Sequence, residues 1–101
     1  MYARHITSKI KPEKLDEALK LYEESVVPEG KDQNGYRGLF VLTDRESGKV
    51  VSITLWDSKE DAAVNEDEGY LQQQIDKFKD YLLEPVVQEG FEVGLIFSKT
   101  K

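Results

Sequence analysis

The sequence predicts an α+β domain of order β-α-β-β-α-β, the ferredoxin-like plan in which two helices cover one face of a four-stranded antiparallel sheet. Three observations carry this expectation. Four short segments are rich in β-branched and bulky residues, two longer segments repeat apolar residues at helical spacing, and turn chemistry marks the changes of period. With 101 residues, 39% of them hydrophobic, the chain holds enough apolar material for one core, so a single domain spans residues 1–101.

Each element has its own signal. Tyr2 to Lys9 mixes aromatic, β-branched and polar residues as a first strand, which Lys11-Pro12 ends. Pro12 suits a first helical turn, Glu13 and Asp16 favour a helix N-terminus, and Leu15, Ala18, Leu19, Tyr22 and Val26 share one helical face. This first helix is expected to stop near Val27, because Pro28 opens the turn-rich run PEGKDQNG. YRGLFVLT from Tyr36 to Thr43 reads as the second strand, DRESGK as a hairpin turn through Ser47-Gly48, and KVVSITLW from Lys49 to Trp56 as the antiparallel third strand. In SITLWDSKEDA the strand runs directly into a helix, with Ser58 and Asp61 spaced as a cap. Leu71, Ile75, Phe78 and Leu82 give a second helix from about Ser58 to Leu83, with a break expected at Gly69, and FEVGLIFS from Phe91 to Ser98 reads as the fourth strand.

Two helices cover only one face of such a sheet. Alternation sets Val51, Ile53 and Leu55 against Val50, Ser52, Thr54 and Trp56, and Phe91, Val93, Leu95 and Phe97 against Ile96. Trp56, Ile96, Phe40 and Leu42 are then expected on the uncovered face. Leaving them in water forgoes several kcal/mol at about 25 cal/mol per Å² of apolar area, and a second copy of the chain is the expected cover, making a homodimer.

Composition narrows the function. A formal net charge of -6 opposes nucleic acid and anionic membranes, since binding a polyanion needs a basic surface that releases counterions. No cysteine is present, which removes disulfides, thiolate nucleophiles and cysteine-based zinc sites. MYARHITSK lacks the apolar run of a signal peptide, and no segment reaches membrane-spanning length, so a cytoplasmic protein is expected. No Ser-His-Asp set, glycine-rich phosphate loop or paired apolar acids can be assembled, and no cofactor is expected.

PEKLDEALKLYEE followed by NGYRGLFVLTDRESGKVVSITLWDSKEDA resembles the antibiotic biosynthesis monooxygenase (ABM) family of the dimeric α+β barrel superfamily, over nearly the whole chain. The GYRG strand, the DRESG hairpin and the LWDSKEDA junction, in this order and spacing, carry the resemblance. It implies one of several activities: a cofactor-independent oxygenase of polyketide anthrones or quinols, a heme-degrading enzyme, or a protein of no assigned activity. Heme-degrading members use a strand-one asparagine, a second tryptophan early in helix two and a histidine further along it. By spacing from Trp56 these fall near His5, on Asn65 and on Ile75, so none is retained. Many other members carry a histidine where Asn65 stands.

The candidate site residues each have two readings. His5, the only histidine, is either a general base or metal ligand, or an ordinary strand residue. Trp56 either stacks on a flat aromatic substrate or anchors the core or dimer. Asn65 and Tyr70 either hydrogen-bond a substrate phenol between helix two and the sheet or face solvent near the helical break. Tyr36 and Arg37 either orient a carbonyl or phenolate at the pocket mouth or lie on the surface. Tyr22 and Phe78 read as core, and Glu66-Asp67-Glu68 as a solvated segment. The oxygenase reading needs only an apolar cavity, a group that favours substrate ionisation and exclusion of water. Its rival is a non-catalytic small-ligand or stress-related dimer whose cavity is filled by side chains.

Overall fold

A computed structural model describes residues 1–99. Four strands, β1 (Tyr2–Lys9), β2 (Tyr36–Asp44), β3 (Lys49–Trp56) and β4 (Val87–Glu92), form an antiparallel sheet of spatial order β2-β3-β1-β4. The central pair aligns Tyr2 with Trp56 and Lys9 with Lys49, so inward and outward positions alternate in step on both strands. Helical segments pack on one face. Ile10, Leu15, Ala18, Val50 and Phe78 form the buried cluster, with Tyr22, Val26, Val41 and Leu82 packed against it. This is the α+β ferredoxin-like plan expected from the sequence.

The first helical layer is longer and less regular than expected. It opens as a 3-10 turn (Pro12–Lys14), continues as α1 (Leu15–Leu21), widens into a π-helical turn (Tyr22–Val26) and ends as α2 (Val27–Gly30). Pro28 therefore does not stop it at Val27. The Val27 N–H bonds to the Tyr22 carbonyl, five residues back. That wider turn relieves the clash that a proline ring makes with the carbonyl four residues before it.

The second layer is shorter than expected. Ser58 Oγ accepts the Asp61 N–H at 3.1 Å, capping α3 (Lys59–Asp67) as the junction implied. Gly69, at φ 83°, breaks the helix before α4 (Tyr70–Asp76). Past Asp76 the chain runs in turns rather than in a helix to Leu83. Its backbone is drawn to the end of β1, where Lys11 N–H bonds Tyr81 O at 3.1 Å and Leu83 N–H bonds Lys9 O at 2.8 Å.

Strand four lies at Val87–Glu92, not Phe91–Ser98, and pairs with Thr7 back to Tyr2. Gly90 obscured it in the sequence, since glycine weakens a strand. Here the Tyr2 side chain crosses the backbone so closely that a Cβ at residue 90 would lie 1.7 Å from the Tyr2 hydroxyl.

Trp56 also differs from expectation. It lies on the helix-covered face and is fully buried, with Val50 on the same face. The uncovered face instead carries Phe40, which pairs with Ile53, and Leu42, which pairs with Val51, together with Val87 and Phe91 of β4. Phe40, Leu42, Val87 and Phe91 are each at least half exposed.

Candidate functional site

A cavity of about 70 Å³ separates the helices from the sheet. Its floor is Ile6, Ser8, Ser52, Thr54 and Trp56, inward positions of β1 and β3, with Leu39 and Tyr36 from β2. Its roof is Tyr22 and Val26 of the π-turn and Tyr70, Leu71, Gln74 and Ile75 of α4; Phe78, Leu82 and Val86 close the far end. The space is several times what one water needs. The lining is mostly apolar, with a few polar groups aimed inward, the composition typical of small-molecule sites.

Trp56 is both anchor and wall. Its ring is fully buried, meets Tyr36 edge-on at 5.8 Å and lies under the Arg4 guanidinium, whose carbon is 4.8 Å from the ring centroid. Its Nε1–H is buried without a hydrogen-bond partner among the described residues. Leaving such a donor unpaired costs about 1–3 kcal/mol.

The tyrosines are weak acids here. Burial is the main cause at all three, raising Tyr22, Tyr36 and Tyr70 above the ordinary phenol value. Tyr70 is pushed up to about 12, by burial first, then by Glu29 and Tyr36, while Arg4 pulls it back. All three are neutral donors at physiological pH. Gln74 is held at the rim by a polar clip: its Nε2 donates to Glu29 at 3.1 Å, and Lys77 Nζ donates to Gln74, Glu29 and Ser25 at 2.9, 2.6 and 2.7 Å.

The candidates are only partly brought together. Trp56, Tyr36 and Tyr70 meet at the cavity. Asn65 is 3% exposed but does not line it. Its Oδ1 accepts Arg4 Nη1 at 3.1 Å and its Nδ2 donates to Gln33 at 2.8 Å, so both ends of the amide are occupied. His5 stands on the uncovered face, 4.0 Å from Glu89 and edge-on to Phe91 at 6.0 Å, with the sheet between it and the cavity. Arg37 is the extra residue of a bulge between Tyr36 and Gly38; its side chain is exposed and pairs with Asp57.

Sequence reasoning missed Arg4 and Glu66. Arg4 is 2% exposed, the one buried charged residue among those described, and it bonds Glu66 at 3.3 Å. The signal was present in period two: Arg4 alternates with Ile6 and Ser8 on the face that the Tyr2–Trp56 pairing turns inward. The acidic run is thus not wholly solvated, because Glu66 serves as counter-ion.

The ABM family model, antibiotic biosynthesis monooxygenase, matches residues 1–73. Among solved structures, the chain is similar to the Streptomyces coelicolor monooxygenase from the gene ActVA-Orf6 in complex with nanaomycin D (TM-score 0.78, 14% identity, 97% of this chain and 92% of that one). It is also similar to a candidate antibiotic biosynthesis monooxygenase from Deinococcus radiodurans (0.75, 16%, all of both chains). A third is SnoaB, a cofactor-independent oxygenase from Streptomyces nogalater (0.72, 9%, 97% of each chain). No curated protein matches. At these identities the structural likeness establishes the fold. The family model covers well over half of the chain, and the chain belongs to the antibiotic biosynthesis monooxygenase family.

Proposed function

We propose that this protein is a cofactor-independent monooxygenase that oxidises a small phenolic, quinol or polyketide-like aromatic in the cavity between the second helical layer and the sheet. The observation that carries the proposal is a mostly apolar cavity walled by Trp56, whose Nε1–H is buried without a hydrogen-bond partner among the described residues. It fits a flat ring bearing a carbonyl or phenolate oxygen, with Tyr36 and Tyr70 as further donors. The family and the names of its solved relatives support the same chemistry.

The reaction closes with dioxygen as sole oxidant. With an anthrone-type substrate, an ionised methylene carbon conjugated to an aromatic ketone attacks dioxygen, and protonation of the product gives a hydroperoxide on that carbon. Loss of water across the remaining C–H bond and the O–O bond leaves a carbonyl. One methylene and one dioxygen thus give one new ketone and one water, with the methylene oxidised by four electrons and the dioxygen reduced by four. The chain's residues bind, orient and exclude water, and donors aimed at the developing oxyanion lower the barrier. Asn65, tied to Arg4, acts as a support. His5 lies outside the cavity and supplies no base there. Oxygen uptake with a panel of hydroquinones and anthrones tests the reading: turnover that falls in Trp56→Phe supports it, and binding without oxygen consumption establishes a non-catalytic ligand-binding protein instead.

The uncovered sheet face supports a homodimer with sheets face to face. Phe40 and Leu42 on one edge strand and Val87 and Phe91 on the other are exposed there, and Leu95, Ile96 and Phe97 beyond β4 are each more than half exposed.

A further inference from the structure

Among the described residues the cavity has no histidine and no carboxylate in its lining to take a proton from a substrate. A buried cation lies just behind its wall. Arg4 is 2% exposed and sits over the Trp56 ring, opposite Thr54 on β3 and Gly90 on β4. Its Nε is buried without a partner among the described residues. Guanidinium does not give up its proton in proteins, so this charge is permanent.

We propose that Arg4 is a positioning residue which, acting through the Trp56 ring and its own field, shifts a bound phenolic or enolic substrate toward its anionic form. The proposal rests on the reading of the cavity as the substrate site. A cation on one face of an indole polarises the ring, making the N–H a stronger donor, and it attracts negative charge on the far side in surroundings that screen poorly. Three titratable groups face Arg4: Glu66 from α3, Tyr70 from α4 and Tyr2 on its own strand. Of these, Glu66 is the salt-bridge partner, at 3.3 Å. Its side chain is 32% exposed against 3% for Arg4, and it also accepts Gln88 Nε2 at 2.9 Å, so water weakens its field more than that of Arg4. Arg4 therefore adds a positive field at the cavity, opposed by the negative one of Glu29, which is bonded to Gln74 in the lining. Tyr70, itself a phenol in the lining, feels the pull of Arg4 against burial, Glu29 and Tyr36, which together raise it.

The test is spectrophotometric titration of para-nitrophenol bound to the protein. Arg4→Met should weaken the acid dissociation of the bound phenol about tenfold, one pKa unit, relative to the parent. Arg4→Lys should restore most of that loss. Glu66→Gln should shift the bound phenol the other way, strengthening its acidity several-fold. A merely structural Arg4 moves affinity or folding in these variants but leaves the bound pKa where it was, which overturns the proposal while the cavity reading stands. Failure of the parent to bind the phenol at all overturns both. If Arg4→Met does not fold, the Glu66→Gln titration decides alone: an unchanged bound pKa refutes the proposal, an acidic shift supports it.

Discussion

Truncating Trp56 to alanine separates what this residue does for the fold from what it does for a ligand. An aromatic of this kind buries about 150–250 Å², and at about 25 cal/mol per Å² its loss removes about 4–6 kcal/mol. Two corrections follow from its surroundings. The orphaned Nε1–H disappears with the ring, returning about 1–3 kcal/mol, and the contact with Arg4 is lost, removing about 1–2 kcal/mol. The balance is a destabilisation of about 3–5 kcal/mol, as for other large aromatics emptied from cores. Urea denaturation measures it directly. Trp56→Phe keeps most of the ring but removes the donor, so its stability should lie within about 1 kcal/mol of the parent while affinity for acceptor-bearing aromatics falls about tenfold. A Trp56→Ala protein as stable as the parent would refute the anchoring role. Undiminished ligand affinity in a folded Trp56→Phe protein would refute the role of its N–H.

Other predictions address the clip, the hairpin, the uncovered face and Asn65. Salt bridging to Lys77, with further bonds from Gln74 and Ser25, lowers Glu29 from 4.5 to about 2. The sign follows from that depression: its contribution is present above pH 4.5 and fades as pH falls towards 2, so Glu29→Gln should flatten the parent's acid-unfolding profile within that window. Gly48→Ala should destabilise the β2–β3 hairpin by more than about 1 kcal/mol in thermal unfolding, because φ is 79° and the added Cβ would lie 2.0 Å from the Ile10 carbonyl oxygen. Phe40→Asp should give a folded monomer by light scattering if sheets pair face to face, and a parent that is already monomeric at micromolar concentration sinks that proposal. Asn65→Ala should cost about 1–3 kcal/mol, since it strips a partner from buried Arg4, and calorimetry checks it.

Elements with a local cause were legible in the sequence. β1 and β3 were bounded correctly by residue type alone, and the Ser58 cap and the Gly69 break were visible as single residues. Misplaced boundaries had distant causes. β4 begins before Phe91 because Tyr2, some ninety positions away, packs over Gly90. The helix ending at Asp76 gives way because residues 81–83 pair with Lys9 and Lys11. The face of Trp56 depended on register with β1, and alternation within β3 states only which residues share a face, never which face meets the helices. Tyr36, Tyr70 and Trp56 were identifiable as aromatic groups near a strand start, a helix break and a strand end. Arg4 was not, because the burial of a charge is decided by what lies across the sheet and on α3.

The π-turn at Tyr22–Val26 makes cavity size a quantity the chain sets in steps of one residue. Such a turn spends one more residue than an α-helical turn for nearly the same advance, and Tyr22 and Val26, its first and last residues, both roof the cavity. Deleting any one residue between them restores α-helical phasing, rotates everything beyond by roughly a quarter turn or more and brings the Pro28 ring against a carbonyl it now avoids. A length change there is thus a change of volume and lining together, achieved without touching the sheet that holds Trp56. Chains of this fold that differ by one residue in this helix are therefore expected to differ in what they enclose before they differ in how they fold.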